Sequence, residues 1–340
     1  MRSAYHSPTE LPALLRGVSR SFYLSIRLLP VALRRPIGVG YLLARATDTL
    51  ADTARLPAGE RREKLDTLAA AIDGRIAARP AIAAVVAIAA SFAPLQDDEQ
   101  ERALIVALPE CLSLLDRLDP ADRADVRTVL GHITRGQALD VDRFGQGTLA
   151  ALQSAAELDE YTYLVAGSVG EFWTELCFRH LPGFATLPRE QMRDLGRSYG
   201  MGLQLVNILR DAGADLAAGR CYFPADELAA AGIVPQDLPR EPARFASVRD
   251  PWLAKAALGL EAGMRYADAV NSRRARAASA LPALLGARTL AMLRADPAQG
   301  LQHKVKVPRS EVRALMARLA FTLAGRASLR TLFAQGAAGR

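Results

Sequence analysis

Residues 200–224 read GMGLQLVNILRDAGADLAAGRCYFP. Leu203, Val206, Leu209 and Leu216 are interleaved with polar groups at helical spacing, so the stretch reads as a helix. On that helix Gln204, Asn207, Asp211 and Asp215 recur every three or four positions and share one face. A face of two carboxylates and two carboxamides, on a helix otherwise built of Leu, Val, Ile and Ala, is unlike an ordinary solvated stripe, which mixes Lys with Glu. Acidic oxygens in this arrangement suit a hard cation. Mg²⁺ is typically held by one or two carboxylates together with substrate phosphates. Arg210, beside the stripe, and Arg220, just beyond it, suit phosphate oxygens.

A lone Asp pair four residues apart is common on helix surfaces, where it solubilises or caps. A second copy changes its meaning. Asp48 and Asp52, in GYLLARATDTLADT, repeat the spacing on another apolar helix, where Tyr41, Arg45, Asp48 and Asp52 fall on one stripe. Two acidic stripes on separate helices, each with an arginine nearby, suggest a metal–diphosphate clamp across a helical cavity.

The rest of the chain sets bounds on this reading. Its 340 residues are half hydrophobic, enough to bury a sizeable core. Alanine, leucine and arginine dominate and strand-like alternation is scarce, so an all-α protein is expected. A formal charge of +7 and a pI near 9.6 favour anionic partners: a diphosphate, an acidic membrane surface or nucleic acid. The arginines are scattered among acids, with no clustered basic stripe, which argues against nucleic acid. Cys111, Cys177 and Cys221 are too few and too far apart for a disulfide framework or a zinc site, and a reducing cytoplasm fits them. No HExxH or GxSxG appears, and the glycines at 38 and 40 lack the third glycine of a dinucleotide fingerprint. The N-terminus lacks the apolar region of a secretory signal. The most apolar window, residues 81–93, is shorter than the roughly 20 residues a bilayer span needs, so no transmembrane helix is expected.

Taken in order, Ser19, Arg20, Ser21 and Phe22 put two hydroxyls, a guanidinium and an aromatic ring side by side. They suit a phosphate contact with an apolar ring beside it, or simply a helix turn with one buried Phe. Pro30 and Pro36 punctuate the chain before the first acidic helix. Residues 59–118 read as two or three scaffold helices. Asp119-Pro120 starts a helix that passes Gln137 and ends near Phe144. The next helix, LDEYTYLVAGSVGEFWTEL, carries a small-residue patch at Gly167 and Gly170, which signals close approach by another helix or room for a ligand. Tyr163, one turn earlier, can donate or accept a proton, shield a cation with its ring, or simply pack. Residues 219–251 are rich in Pro and Gly and suggest a lid. Helices are expected over 252–276 and 278–294. Lys304 and Lys306 lie on an extended piece, and a last amphipathic helix over 309–334 reads as core packing or peripheral membrane contact.

These stretches together resemble the squalene/phytoene synthase family, the head-to-head prenyltransferases, over about residues 11–310. The carriers are SRSF (19–22), YLLARATDTLAD (41–52), YLVAGSVG (163–170), LQLVNILRDAGAD (203–215) and GRCYFP (219–224). The resemblance implies one all-α domain over 1–340, a type I isoprenoid synthase helical bundle around a central cavity. It implies that Asp48, Asp52, Asp211 and Asp215 bind Mg²⁺ bridging to diphosphate. Ser19, Arg20, Ser21, Tyr41, Arg45, Arg210 and Arg220 match substrate-contacting positions, with Phe22 lining the cavity. Gln204 and Asn207 match the polar positions before the second motif. Tyr163 matches a tyrosine implicated in the proton and cation steps. Ala51 and Ala214 stand where many relatives carry a further acid, which bears on metal affinity.

The expected substrate is farnesyl diphosphate. Two molecules would join through presqualene diphosphate, and NADPH reduction would give squalene. Lys304-Val305-Lys306 resembles the basic stretch that squalene synthases use near NADPH phosphates, and DTLAD is similar to the squalene branch. The alternatives are a phytoene or dehydrosqualene synthase without reduction, an enzyme stopping at presqualene diphosphate or hydroxysqualene, and a non-catalytic relative. The four retained aspartates argue against the last. A terpene cyclase should show DDxxD and an NSE-type triad, which are absent. The chain ends at LRTLFAQGAAGR without the anchor of eukaryotic squalene synthases, so a cytoplasmic monomer, soluble or peripheral at the membrane, is expected.

Overall fold

The structure is a computed structural model describing residues 15, 26, 29–296, 298–322 and 325–339. Ser19, Arg20, Ser21 and Phe22 lie outside the described residues. The chain is all-α, as expected. Among the described residues the only sheet is a parallel pair of two-residue strands. Packing divides the chain after Asp142 into two compact units, a boundary that composition does not announce.

In the first unit, α1 (Val31–Asp52) starts after Pro30 and keeps Pro36 inside its second turn, at the loss of one backbone hydrogen bond. Neither proline therefore delays the acidic helix. Leu33, Leu42, Leu43 and Leu50 of α1 are fully buried, and the helix packs on α2 (Ala58–Asp73) and, further along the chain, α5 (Leu108–Asp116). Between these lie α3 (Ala78–Phe92), a 3₁₀ turn at Ala93–Leu95 and α4 (Glu99–Val106), so residues 59–118 hold four helices rather than two or three. The apolar stretch is also longer than it reads in sequence. Helix and 3₁₀ turn together make an 18-residue window, Ala78–Leu95, of mean hydropathy 1.7 and one-third buried, which meets the length and composition of a membrane span. Its buried side, Val85, Ile88 and Phe92, faces protein, since α3 packs on α2, α4 and α5. Helix α6 (Pro120–Phe144) closes the unit, its Ala138 and Val141 meeting Ala51 and Leu65. Gln137 is buried there.

The second unit is built on one long helix. After β1 (Ala150–Ala151), α7 (Ala155–Thr162) runs through a π turn at Tyr163–Gly167 into α8 (Ser168–His180). Then comes α9 (Arg189–Ala217), which packs against α8 on one side and α11 (Pro242–Ala269) on another. The small residues explain how close these contacts are. A Cβ on Gly170 would lie 1.9 Å from the Gly196 carbonyl oxygen, and one on Gly202 would lie 2.6 Å from the Gly259 Cα. Backbone touches backbone on both sides of α9, which no larger residue allows.

Residues 219–251 are not a loose lid. They contain β2 (Arg220–Cys221), α10 (Ala225–Ala230), a 3₁₀ turn at Pro235–Asp237 and the start of α11, which continues through Pro251. Phe223, Leu228, Ile233, Leu238 and Phe245 are buried in the unit's core. Apolar residues about every fifth position, hidden among the Pro and Gly, tie this segment down. Helix α12 (Arg273–Ala295) packs on α11, and the terminal amphipathic segment breaks into α13 (Arg309–Phe321) and α14 (Arg326–Ala337).

The backbone contacts carry a stability prediction. Gly170→Ala should destabilise the protein by about 2 kcal/mol or more, because a carbonyl facing the new methyl cannot yield like a flexible side chain. Gly131→Ala, on α6 with nothing within 4 Å of its added methyl, should be neutral or slightly stabilising. Thermal denaturation of the two variants measures the contrast. Equal midpoints would contradict the packing.

Candidate functional site

The first acidic stripe lies on α1. The side of the helix away from its leucines carries Tyr41, Arg45 and Asp48, partly exposed, and Asp52, exposed at its end. Arg45 Nη1 donates to Asp48 Oδ2 at 2.5 Å. Its Nη2 donates to Glu101 Oε1 on α4, so one guanidinium bridges two acids. Burial pushes the Asp48 carboxyl up to about 6, the Asp52 carboxylate pushes the same way, and Arg45 opposes them. A second cation, Arg61 on α2, donates to the Ala51 carbonyl at 2.5 Å and interacts with Asp52. Glu101 and Arg61 escape sequence reading. Glu101 sits in QDDEQE, an acidic turn like any other, and reaches Arg45 only because the fold brings together positions 56 apart.

The second stripe lies on α9. Gln204, Asn207, Arg210, Asp211 and Asp215 are all partly exposed, while Leu205, Val206, Ile208, Leu209 and Ala212 are buried. Asn207 Nδ2 donates to Gln204 Oε1 at 3.3 Å. Arg210 Nε donates to Asp211 Oδ1 at 3.0 Å, and the same guanidinium also reaches Oδ2. Arg220 Nη2 donates to Asp215 Oδ1 at 3.2 Å. Arg220 is positioned by the short sheet, where it pairs with Ala150, after Gly219 takes a φ of 81° that turns the chain back. The Gly within DAGAD also has a reason. A Cβ on Gly213 would lie 2.0 Å from the Leu301 carbonyl oxygen, and its N–H donates to the Gly300 carbonyl at 2.7 Å. The turn ahead of Lys304 is thus docked on the second motif's helix. Val305 is buried, and Lys304 and Lys306 flank it, both exposed.

Tyr163 opens the π turn, a local widening that often marks functional sites. Its hydroxyl donates to Glu171 Oε2 at 3.4 Å, and Glu171 Oε1 accepts from Arg197 Nε at 2.6 Å. Burial, followed by the Glu171 charge, raises the phenol's pKa above its ordinary value. The hydroxyl therefore stays protonated at neutral pH. It can offer a hydrogen bond and its ring a π face, but it is no base. Glu171, Arg193 and Arg197 around it were not singled out by sequence. A π turn separates Tyr163 from Glu171, and Arg193 and Arg197 come from a different helix, α9.

Within each unit the structure brings together what the spacing predicts: Tyr41, Arg45, Asp48 and Asp52 in the first, and Gln204, Asn207, Arg210, Asp211, Asp215 and Arg220 in the second. Among the described residues no three His, Cys, Asp or Glu side chains form a ready metal cage. Paired carboxylates nevertheless fit Mg²⁺, which keeps several waters and completes its shell with phosphate oxygens. The Asp48 carboxyl is raised first by its burial and only second by the Asp52 carboxylate beside it.

The family model for squalene/phytoene synthase matches residues 15–311. The bifunctional lycopene cyclase/phytoene synthase of Phaeosphaeria nodorum is 31% identical over 245 residues, covering 71% of this chain and 38% of that protein. The squalene synthase of Saccharomyces cerevisiae is 29% identical over 213 residues, covering 63% of this chain and 44% of that protein. The chain thus spans less than half the length of either relative. The solved structure of TcSQS in complex with the ligand E5700 superposes with a TM-score of 0.72 at 18% identity, covering 97% of this chain and 96% of that one. That last likeness is one of fold.

The perturbed carboxyl has a testable sign. With its folded pKa near 6 and the ordinary value of 3.8, Asp48 holds a proton in the folded chain that the unfolded chain has released between those pH values. Its contribution to stability therefore falls as pH rises through that window and is fully lost above it. Asp48→Asn should denature at higher temperature than the parent at about pH 7.5 without metal, with the gap shrinking toward about pH 4. A variant less stable than the parent at the higher pH would contradict this electrostatic reading.

Proposed function

The chain belongs to the squalene/phytoene synthase family, and from that premise we propose that it joins two farnesyl diphosphates head to head, through presqualene diphosphate, and reduces the product to squalene with NADPH. The observation that carries this reading is the repeated stripe: two Asp pairs on separate helices, each with arginine already hydrogen-bonded to it. Asp48 and Asp52, and Asp211 and Asp215, would hold Mg²⁺, which when bound neutralises charge on a departing diphosphate. Arg45, Arg210 and Arg220 exchange their carboxylate partners for diphosphate oxygens as substrate arrives, and so stabilise the leaving group electrostatically. Asn207 and Gln204, one and two turns before Asp211, would hydrogen-bond the same headgroup.

Loss of the first diphosphate breaks its C1–O bond and leaves an allylic cation. The C2–C3 double bond of the second substrate attacks it, and proton loss closes the cyclopropane. Departure of the second diphosphate rearranges that ring, and a hydride ends the sequence. The protonated Tyr163 contributes its ring face and a hydrogen bond to the cationic stages. Lys304 and Lys306 are offered to the phosphates of NADPH, since both are exposed on a segment docked to α9. A phytoene or dehydrosqualene synthase is the second reading. It is favoured by the comparable identity to a protein carrying a phytoene synthase activity in its name. In either case we propose a cytoplasmic monomer, soluble or peripheral at the membrane.

Purified protein with Mg²⁺ and farnesyl diphosphate should yield squalene only when NADPH is present. Phytoene or dehydrosqualene formed regardless of NADPH, from C20 or C15 substrate, would replace this reading with the second. Asp48→Asn and Asp211→Asn should each lower turnover by about 10³-fold with an unchanged circular dichroism spectrum. Near-normal turnover in either variant would remove that carboxylate from the metal site.

A further inference from the structure

Helix α4 opens on Asp98-Glu99-Gln100-Glu101, a pattern in which the capping acid and the acid three residues later both close on the helix's own first amides. Here the first half of the pattern forms. The Asp98 carboxylate accepts from the Gln100 and Glu101 amides at 2.8 and 3.1 Å. The Glu101 carboxylate reaches out of its own helix and accepts from Arg45 Nη2 on α1. The start of α4 is tied to the end of α1 by a set of further bonds. Gln96 is buried, and its Nε2 donates to Thr53 Oγ1 at 3.0 Å, while that hydroxyl donates to the Thr49 carbonyl at 2.6 Å. Arg55 donates to the Leu95 carbonyl at 3.0 Å and to both carboxylate oxygens of Asp97. Arg102 Nη2 donates to the Gln96 carbonyl at 2.7 Å. Glu101 is thereby held beside α1, its side chain only 27% exposed.

On α1 itself Arg45 is paired to Asp48, which is half of the first aspartate pair. A cation taken by Asp48 and Asp52 removes that partner and repels the guanidinium beside it. A long arginine side chain without an anchor then loses rotamer entropy when it is ordered again on a phosphate. We propose that Glu101 is the positioning residue for Arg45: its carboxylate keeps Nη2 while Nη1 leaves Asp48, so that Nη1 is presented to a diphosphate oxygen despite the charge of the cation nearby. This role rests on the diphosphate reading proposed above, which assigns Arg45 to the leaving group and gives Glu101 no part. Because Glu101 approaches from α4, it holds Arg45 from outside the α1 stripe and leaves Asp48 and Asp52 to the cation.

Isothermal titration of the full chain with a non-ionisable farnesyl thiodiphosphate, in Mg²⁺, separates this role from a structural one. Glu101→Ala should weaken binding about tenfold with the circular dichroism spectrum retained. Glu101→Gln, whose amide oxygen still accepts from Nη2 but carries no charge, should weaken it about threefold. In an Arg45→Gln background Glu101→Ala should cost nothing further, because Glu101 acts only through Arg45. Parent-like or tighter binding by Glu101→Ala would overturn the inference, the tighter result making Glu101 a competitor of the diphosphate. So would an equal loss in the Arg45→Gln background, which would make Glu101 a ligand of the cation or a part of the fold. A parent that does not bind in Mg²⁺ would overturn the diphosphate reading and this inference with it. A parent that binds, beside a Glu101→Ala variant that binds equally well, defeats the inference alone.

Discussion

Carboxylates four residues apart on one helix face repel each other, and a fold that keeps such pairs must hold them with positive charge. This protein does so twice. Arg45 bridges Asp48 and Glu101 in one unit, while Arg210 and Arg220 hold Asp211 and Asp215 in the other. The compensation is incomplete at Asp48, whose carboxyl remains shifted upward by burial and by Asp52. On the function proposed above, these carboxylates would hold a divalent cation, and the arginines paired with them would be available to phosphate oxygens.

The second stripe also explains much of the surrounding architecture. Helix α9 must show a polar face while being gripped closely elsewhere, and glycines make that possible. Gly196 meets Gly170 of α8, Gly202 meets Gly259 of α11, and Gly213 admits the turn at Gly300–Leu301. Side chains cannot intervene at these points, so the backbone of α9 is fixed without covering Gln204, Asn207, Asp211 or Asp215. The short parallel pairing of Ala150 with Arg220 and the left-handed Gly219 then bring a guanidinium back to Asp215. Rigid placement of acidic oxygens is what an electrostatic catalyst requires.

The parts of this arrangement readable in the sequence were those set by helical period. The stripes through Asp48 and Asp211 follow from spacing alone, and the close approach at Gly167 and Gly170 follows from residue size. Contacts across large sequence separations were not readable: Glu101 reaching Arg45, Arg61 beside Asp52, Gly213 under Leu301. Local signals also misled where packing overrode them. Pro and Gly in 219–251 suggested a lid, yet Phe223, Ile233 and Phe245 anchor that segment in the core. The stretch at 309–334 does pack on the core through Leu319, Leu329 and Leu332, but as two helices rather than one, with Phe321 exposed at the end of the first. The π turn at Tyr163–Gly167 shifts the phase between Tyr163 and Glu171, and Arg197 reaches Glu171 from another helix, α9, which no wheel of one helix shows.

On the proposed function, each aspartate pair would bind diphosphate only through a divalent cation. Isothermal titration of the full chain with a farnesyl thiodiphosphate that cannot ionise, with and without Mg²⁺, tests it most directly. The account predicts binding that requires Mg²⁺ and is lost in both Asp48→Asn and Asp211→Asn. Binding of equal strength without Mg²⁺, or retained in both variants, would contradict it.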